Sequence, residues 1–97
     1  MNEVDTFIKK LRDQKPLLRD QYGVNELGIF GSYVRGEQKK KSDVDILIDL
    51  SKPISLFGLM DLEDQLSELI GKKVDLVLKN ELKPRIGEHI LKEIIYV

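Results

Sequence analysis

Asp43 and Asp45 stand two positions apart at the head of DVDILIDL, residues 43–50, the most hydrophobic run in the chain. Aspartate is depleted in strands, so folding alone does not account for the pair. Residues two apart on a strand point the same way, with Cα atoms roughly 6.5 Å apart, so these two carboxylates can converge on one ion. Magnesium prefers hard oxygen ligands and commonly takes one or two carboxylates together with phosphate oxygens. Asp75 lies within a second apolar run, VDLVL at residues 74–78. If that run lies beside the first, Asp75 falls on a comparable face as a third ligand or a base. Three carboxylates gathered without a cation would repel one another and raise each other's pKa, so their convergence makes most sense around metal.

The other half of the chemistry stands just upstream, in GSYVRG at residues 31–36. A Gly-Ser turn after a strand and before a short helix exposes backbone N–H groups to an anion. Gly31 permits close approach and Ser32 adds a hydroxyl donor. Arg35 suits either a phosphate contact or a structural ion pair with a carboxylate. Phosphate on one side and metal on the other describes nucleoside triphosphate chemistry.

These residues need elements to hold them. Val4, Phe7, Ile8 and Leu11 recur at helical spacing, and Leu17, Leu18 and Tyr22 carry the pattern past Pro16, which predicts one helix kinked or restarted at the proline and ended at Gly23. A strand is predicted over residues 27–30, then the turn and a short helix through Arg35. In residues 43–50, Val44, Ile46 and Ile48 share one face of a strand, while Asp43, Asp45, Leu47 and Asp49 share the other. Ser55 caps a leucine-rich helix that runs to Ile70 and stops at Gly71. A third strand spans residues 74–78, and a final helix from Pro84 uses Ile86, Ile90, Leu91, Ile94 and Ile95. The prediction is an α/β (α+β) fold: a short mixed sheet of at least three strands covered by helices, in one domain over residues 1–97.

Composition narrows the partners. At 97 residues and 41% hydrophobic content, the chain suffices for one domain and leaves no separate substrate domain. Charged residues make up 34% but cancel to a net charge of −1, so no global basic field favours direct nucleic-acid binding. Cysteine is absent, which excludes disulfides and thiolate metal sites. No apolar run is long enough for a membrane span or a signal peptide, so the expected location is cytoplasmic.

Gly31-Ser32-Tyr33-Val34-Arg35-Gly36 followed by Ser42-Asp43-Val44-Asp45 resembles the signature of the DNA polymerase β-like nucleotidyltransferase superfamily, and specifically its minimal nucleotidyltransferase branch. The similarity extends to Tyr22-Gly23-Val24, to Val74-Asp75-Leu76-Val77, and to Leu82-Lys83-Pro84 before a terminal helix ending in Ile95-Tyr96-Val97. Val34 stands where this branch often has alanine. The resemblance implies the small polymerase β-like fold and transfer of a nucleoside monophosphate, AMP from ATP, to a hydroxyl. Gly31 and Ser32 would hold the triphosphate with Arg35 beside them, Asp43 and Asp45 would bind two magnesium ions, and Asp75 would be the third carboxylate. It further implies a hetero-oligomeric partnership with a HEPN-type ribonuclease toxin, in which this chain is the antitoxin and modifies a hydroxyl, plausibly a tyrosine, of the toxin. Two other readings remain at this level: an antitoxin that neutralises by occlusion without catalysis, and the nucleotide-binding subunit of a two-chain transferase for RNA or a small molecule.

The remaining conspicuous residues read as structural. Residues 39–41, three lysines, form a solvated loop. His89, the only histidine, takes a surface or helix-packing role on the last helix, Tyr33 covers core, and Asp49 solvates a strand end. Ile94 to Val97 form an apolar tail suited to packing against a partner or a second copy.

Overall fold

Val4, Phe7, Leu11 and Leu18 are buried along one side of helix α1 (Glu3–Tyr22) in the computed structural model, which describes residues 3–97. The helix continues through Pro16 without a break, with the proline on its exposed side. Gly23, at φ 75°, turns the chain into strand β1 (Val24–Phe30). The strand starts three residues before its apolar run, and its register with β2 shifts between Val24 and Glu26. An extra residue there, a β-bulge, keeps Val24 on the same side as Leu27 and Ile29.

Helix α2 (Ser32–Arg35) is a single turn, followed by strand β2 (Val44–Leu50), helix α3 (Leu56–Ile70) and strand β3 (Val74–Leu78). The Ser55 hydroxyl caps α3 by accepting from the Gly58 N–H at 3.0 Å, and Gly71 ends it in the left-handed conformation. A short 3-10 turn at Lys79–Glu81 leads to helix α4 (Pro84–Glu93) and strand β4 (Ile95–Tyr96). The sheet order is β3-β2-β1-β4; β2 and β3 run parallel and the other pairs antiparallel. A mixed sheet covered by helices is the predicted architecture.

The predicted final helix is corrected at its end. Ile94 and Ile95 fit its period, yet α4 stops at Glu93, Ile94 turns extended, and Ile95 pairs with Ile29. Tertiary pairing overrides the periodicity here. Gly28 makes it possible, since a Cβ there would lie 2.7 Å from the Ile94 side chain. Backbone bonds tie the tail to its own chain while the Ile95 and Tyr96 side chains stay exposed: the Val97 N–H donates to the Leu27 carbonyl at 2.9 Å, and Lys15 Nζ donates to the Val97 carbonyl at 2.8 Å.

The alternation read in β2 separates two cores. Val44, Ile46 and Ile48 face α1 and α3 with Leu11, Leu62 and Leu66, while Leu47 faces α4 in a smaller cluster with Phe30 and Ile90. Each fully buried leucine contributes about 1.5–3 kcal/mol relative to exposure. Part of the α3 stripe lies outside both cores: Leu56, Phe57 and Met60 are exposed at its beginning. Tyr22 Oη donates to Asp61 at 2.6 Å and ties α1 to α3; burial first, then this bond, pushes the phenol up to about 12. Among the described residues, no helix is long and apolar enough to cross a membrane.

Candidate active site

Asp45 is the second residue of β2, on the face that Leu47 turns towards α4. Its register neighbours are Phe30 on β1 and Asp75 on β3, so the predicted adjacency of Asp45 and Asp75 is a direct cross-strand pair. Asp43 precedes the strand and is delivered by a tight loop. There Ser42 Oγ accepts from the Lys39 N–H at 2.8 Å, and the Ser42 N–H donates to the Lys39 carbonyl at 3.0 Å. Tyr33, buried edge-on against Phe7 with centroids 5.4 Å apart, donates its hydroxyl to the Ser42 carbonyl at 3.4 Å. The core thus fixes the approach to the acidic pair.

Asp45 carries the electrostatic load of the cluster. Burial, then the charges of Asp75 and Asp43, push Asp45 up to about 6, with Glu93 adding to the rise and Arg35 opposing it. Such a cluster is short of positive charge. Among the described residues, no three acidic side chains form a ready metal cage by themselves. That is compatible with magnesium, which fills much of its shell with phosphate and water oxygens and needs few carboxylates. The donor set is all hard oxygen and fits that ion.

Gly31 lies directly against this cluster. Its φ of 85° and ψ of −155° belong to a region open essentially to glycine, and a Cβ there would overlap the Asp45 carboxylate. Its carbonyl accepts from the Val34 and Arg35 N–H groups, both at 3.1 Å, which closes the turn. Ser32 and Tyr33 open α2, where no preceding helical turn accepts from their N–H groups.

Arg35 engages carboxylates. Its Nε donates to Glu37 at 2.9 Å and its Nη1 to both Glu93 oxygens at 3.0 Å; Glu37 first, then Glu93, raises its pKa further. The second Glu93 oxygen also accepts from the Gly31 N–H at 3.0 Å. Glu93 is the site residue that sequence reasoning missed. It belongs to a helix whose acidic residues look like ordinary solvated charge, and it meets its partners only through the fold. His89 and residues 39–41 are exposed, as expected of surface groups.

Neither of two surface depressions contains these residues. One lies between α1 and α3 at Leu17, Leu18, Leu66 and Leu69, and the other is at the opposite end of the sheet around Leu50, Pro53 and Ile54. Gly31, Arg35, Asp43, Asp45, Asp75 and Glu93 form a separate constellation, coupled by charge and close contact.

The model of the nucleotidyltransferase domain matches residues 6–97. The chain belongs to the nucleotidyltransferase domain family. Among its relatives, a protein adenylyltransferase MntA of Thermococcus cleftensis is 49% identical over 87 residues, covering 90% of this chain and 88% of that one. A solved chain assigned by its description to the minimal nucleotidyltransferases superposes with a TM-score of 0.79 at 30% identity, over 98% of this chain and 95% of that one. A toxin–antitoxin crystal structure with AMP-PNP superposes with a TM-score of 0.70 at 25% identity, over 99% of this chain and 72% of that chain. As a nucleotidyltransferase, the chain has its acidic residues at the head of β2 and beside them on β3, next to the glycine turn.

Proposed function

We propose that this nucleotidyltransferase transfers AMP from ATP to a hydroxyl, a tyrosine, of a cognate HEPN-type toxin and neutralises it as the cytoplasmic antitoxin of a hetero-oligomeric pair, with residues 1–97 forming one minimal domain. The observation that carries this reading is the Asp45–Asp75 register pair beside the Gly31 turn. The adenylyltransferase name of the Thermococcus relative, and the toxin–antitoxin neighbour solved with AMP-PNP, support both the donor and the acceptor.

Asp43, Asp45 and Asp75 would hold two magnesium ions, which when bound supply positive charge to the triphosphate and to the attacking oxygen. Gly31, lacking a side chain, leaves the carboxylates and the turn close enough to share one ligand. The Ser32 hydroxyl and the first N–H groups of α2 donate to phosphate oxygens. Asp75, exposed at the start of the outer strand, accepts the proton of the attacking hydroxyl. The bond from the acceptor oxygen to the α-phosphorus forms as the bond to the bridging oxygen breaks, and pyrophosphate leaves with that electron pair. Asp75 then returns its proton to solvent.

The test is label transfer from α-labelled ATP, CTP, GTP or UTP to the co-purified or neighbouring-gene partner in magnesium, beside Asp43→Asn and Asp45→Asn. Label on a partner tyrosine from ATP alone, lost in both variants, is the expected result. Inhibition of the partner by wild type and variants alike, without label, would refute catalysis and leave neutralisation by contact.

A further inference from the structure

Glu93 makes three polar contacts from one carboxylate, and every one falls on the glycine turn or on Arg35. One oxygen accepts from the Gly31 N–H at 3.0 Å, and both accept from Arg35 Nη1 at 3.0 Å. The group is half-buried, and it is delivered by a corner with little freedom. The Ile94 N–H closes α4 on the Ile90 carbonyl at 2.9 Å, and Ile94 sits over Gly28 where no Cβ would fit. Ile95 then pairs with Ile29, two residues before Gly31. The α4–β4 corner is thus anchored to the strand that ends in the turn. Building on the nucleotidyltransferase reading above, we infer that Glu93 is the positioning residue of the triphosphate turn.

The physical role follows from which donors Glu93 takes. It binds the Gly31 N–H on the side facing α4, which sets the direction in which the next donors point. Those next donors are the Ser32 hydroxyl and the N–H groups of Ser32 and Tyr33. It also holds Arg35 across the end of the one-turn helix, where the guanidinium offsets the charge gathered around Asp45. The turn's own backbone bonds engage the Gly31 and Ser32 carbonyls, and a carboxylate 62 residues away in sequence adds the hold on the Gly31 N–H. Glu93 acts through Gly31 and Arg35 and touches no reacting atom.

The test compares wild type with Glu93→Ala and Glu93→Gln, the latter retaining an acceptor for the Gly31 N–H while losing the charge. Equilibrium dialysis of MgATP without acceptor, hydrogen exchange of the Gly31 amide, and separate KM values for MgATP and for the acceptor are the readouts. Losing a charged acceptor from a part-buried N–H predicts about tenfold weaker MgATP binding in Glu93→Ala. Faster exchange at Gly31 and an unchanged acceptor KM are expected with it, and Glu93→Gln should fall between Ala and wild type. Unchanged MgATP affinity in a folded Glu93→Ala would overturn the inference. Tighter binding would overturn it too, making Glu93 a competitor of phosphate. If Glu93→Ala does not fold, Glu93→Gln with wild-type affinity and wild-type Gly31 exchange would still overturn it. Wild-type chain that neither binds MgATP nor transfers label would instead sink the proposed activity, so the two failures are distinguishable.

Discussion

Asp45→Asn is expected to make the protein more stable and catalytically dead. Burial beside Asp75 and Asp43 raises the Asp45 carboxyl from 3.8 to about 6. Holding it ionised at neutral pH would cost about 3 kcal/mol if the site were closed to solvent. The group is only half-buried, and solvent screening reduces the figure to about 1–2 kcal/mol. In a domain of this size that is a rise in melting temperature of about 5–10 °C. The sign depends on pH. The folded-state value lies above the unfolded one, so the penalty is present in full above pH 6 and fades as pH falls towards 3.8. Thermal melts of both proteins in chelator at pH 7.5 and pH 4 test this: the variant should melt higher at pH 7.5, and most of its advantage should vanish at pH 4. MgATP should raise the wild-type melting point and leave the variant unmoved. Equal or lower stability of the variant at pH 7.5, or an advantage that persists undiminished at pH 4, would refute the claim that Asp45 is held against its own electrostatic preference.

Gly31→Ala should abolish label transfer and cost about 1–3 kcal/mol in chemical denaturation, because alanine tolerates φ 85° poorly and its Cβ would displace Asp45. Gly28→Ala should push Ile94 off the sheet, lose about 1–3 kcal/mol by overpacking, and weaken MgATP binding through the displaced Glu93, as read by melts and dialysis. Ser55→Ala removes the cap of α3 at the far end of the fold. It should lower stability by about 1 kcal/mol with wild-type label transfer, which separates loss of stability from loss of chemistry.

The grouping of Gly31, Asp43 and Asp45 was legible because these residues stand close together in the sequence, and Asp75 joined them on the expectation that its run lies beside theirs. Period-two alternation assigned each β2 side chain its face, and the parallel neighbour supplied Asp75 at the matching position. Glu93 was not legible, since its meaning depends on where α4 ends relative to β1, and no local pattern carries that. The two-residue strand β4 was hidden for a related reason: Ile90, Leu91, Ile94 and Ile95 continue a helical period without glycine or proline to stop it. What stops it is the bare backbone of Gly28, far away in sequence. Asn25 and Glu26, poor strand formers, concealed the beginning of β1, where a bulge accommodates them.

Strand β3 pairs only with β2, so its outer edge is open. Val74, Leu76, Val77 and Leu78 would make that edge a template for a second chain, were it uniformly apolar. Asp75 interrupts the run with an exposed charge, and Lys79 follows it. The carboxylate proposed for the site would thereby also guard against intermolecular sheet growth. Under the proposed function catalysis and solubility would be joined at one side chain, and neutralising Asp75 is expected to bring aggregation as well as inactivity.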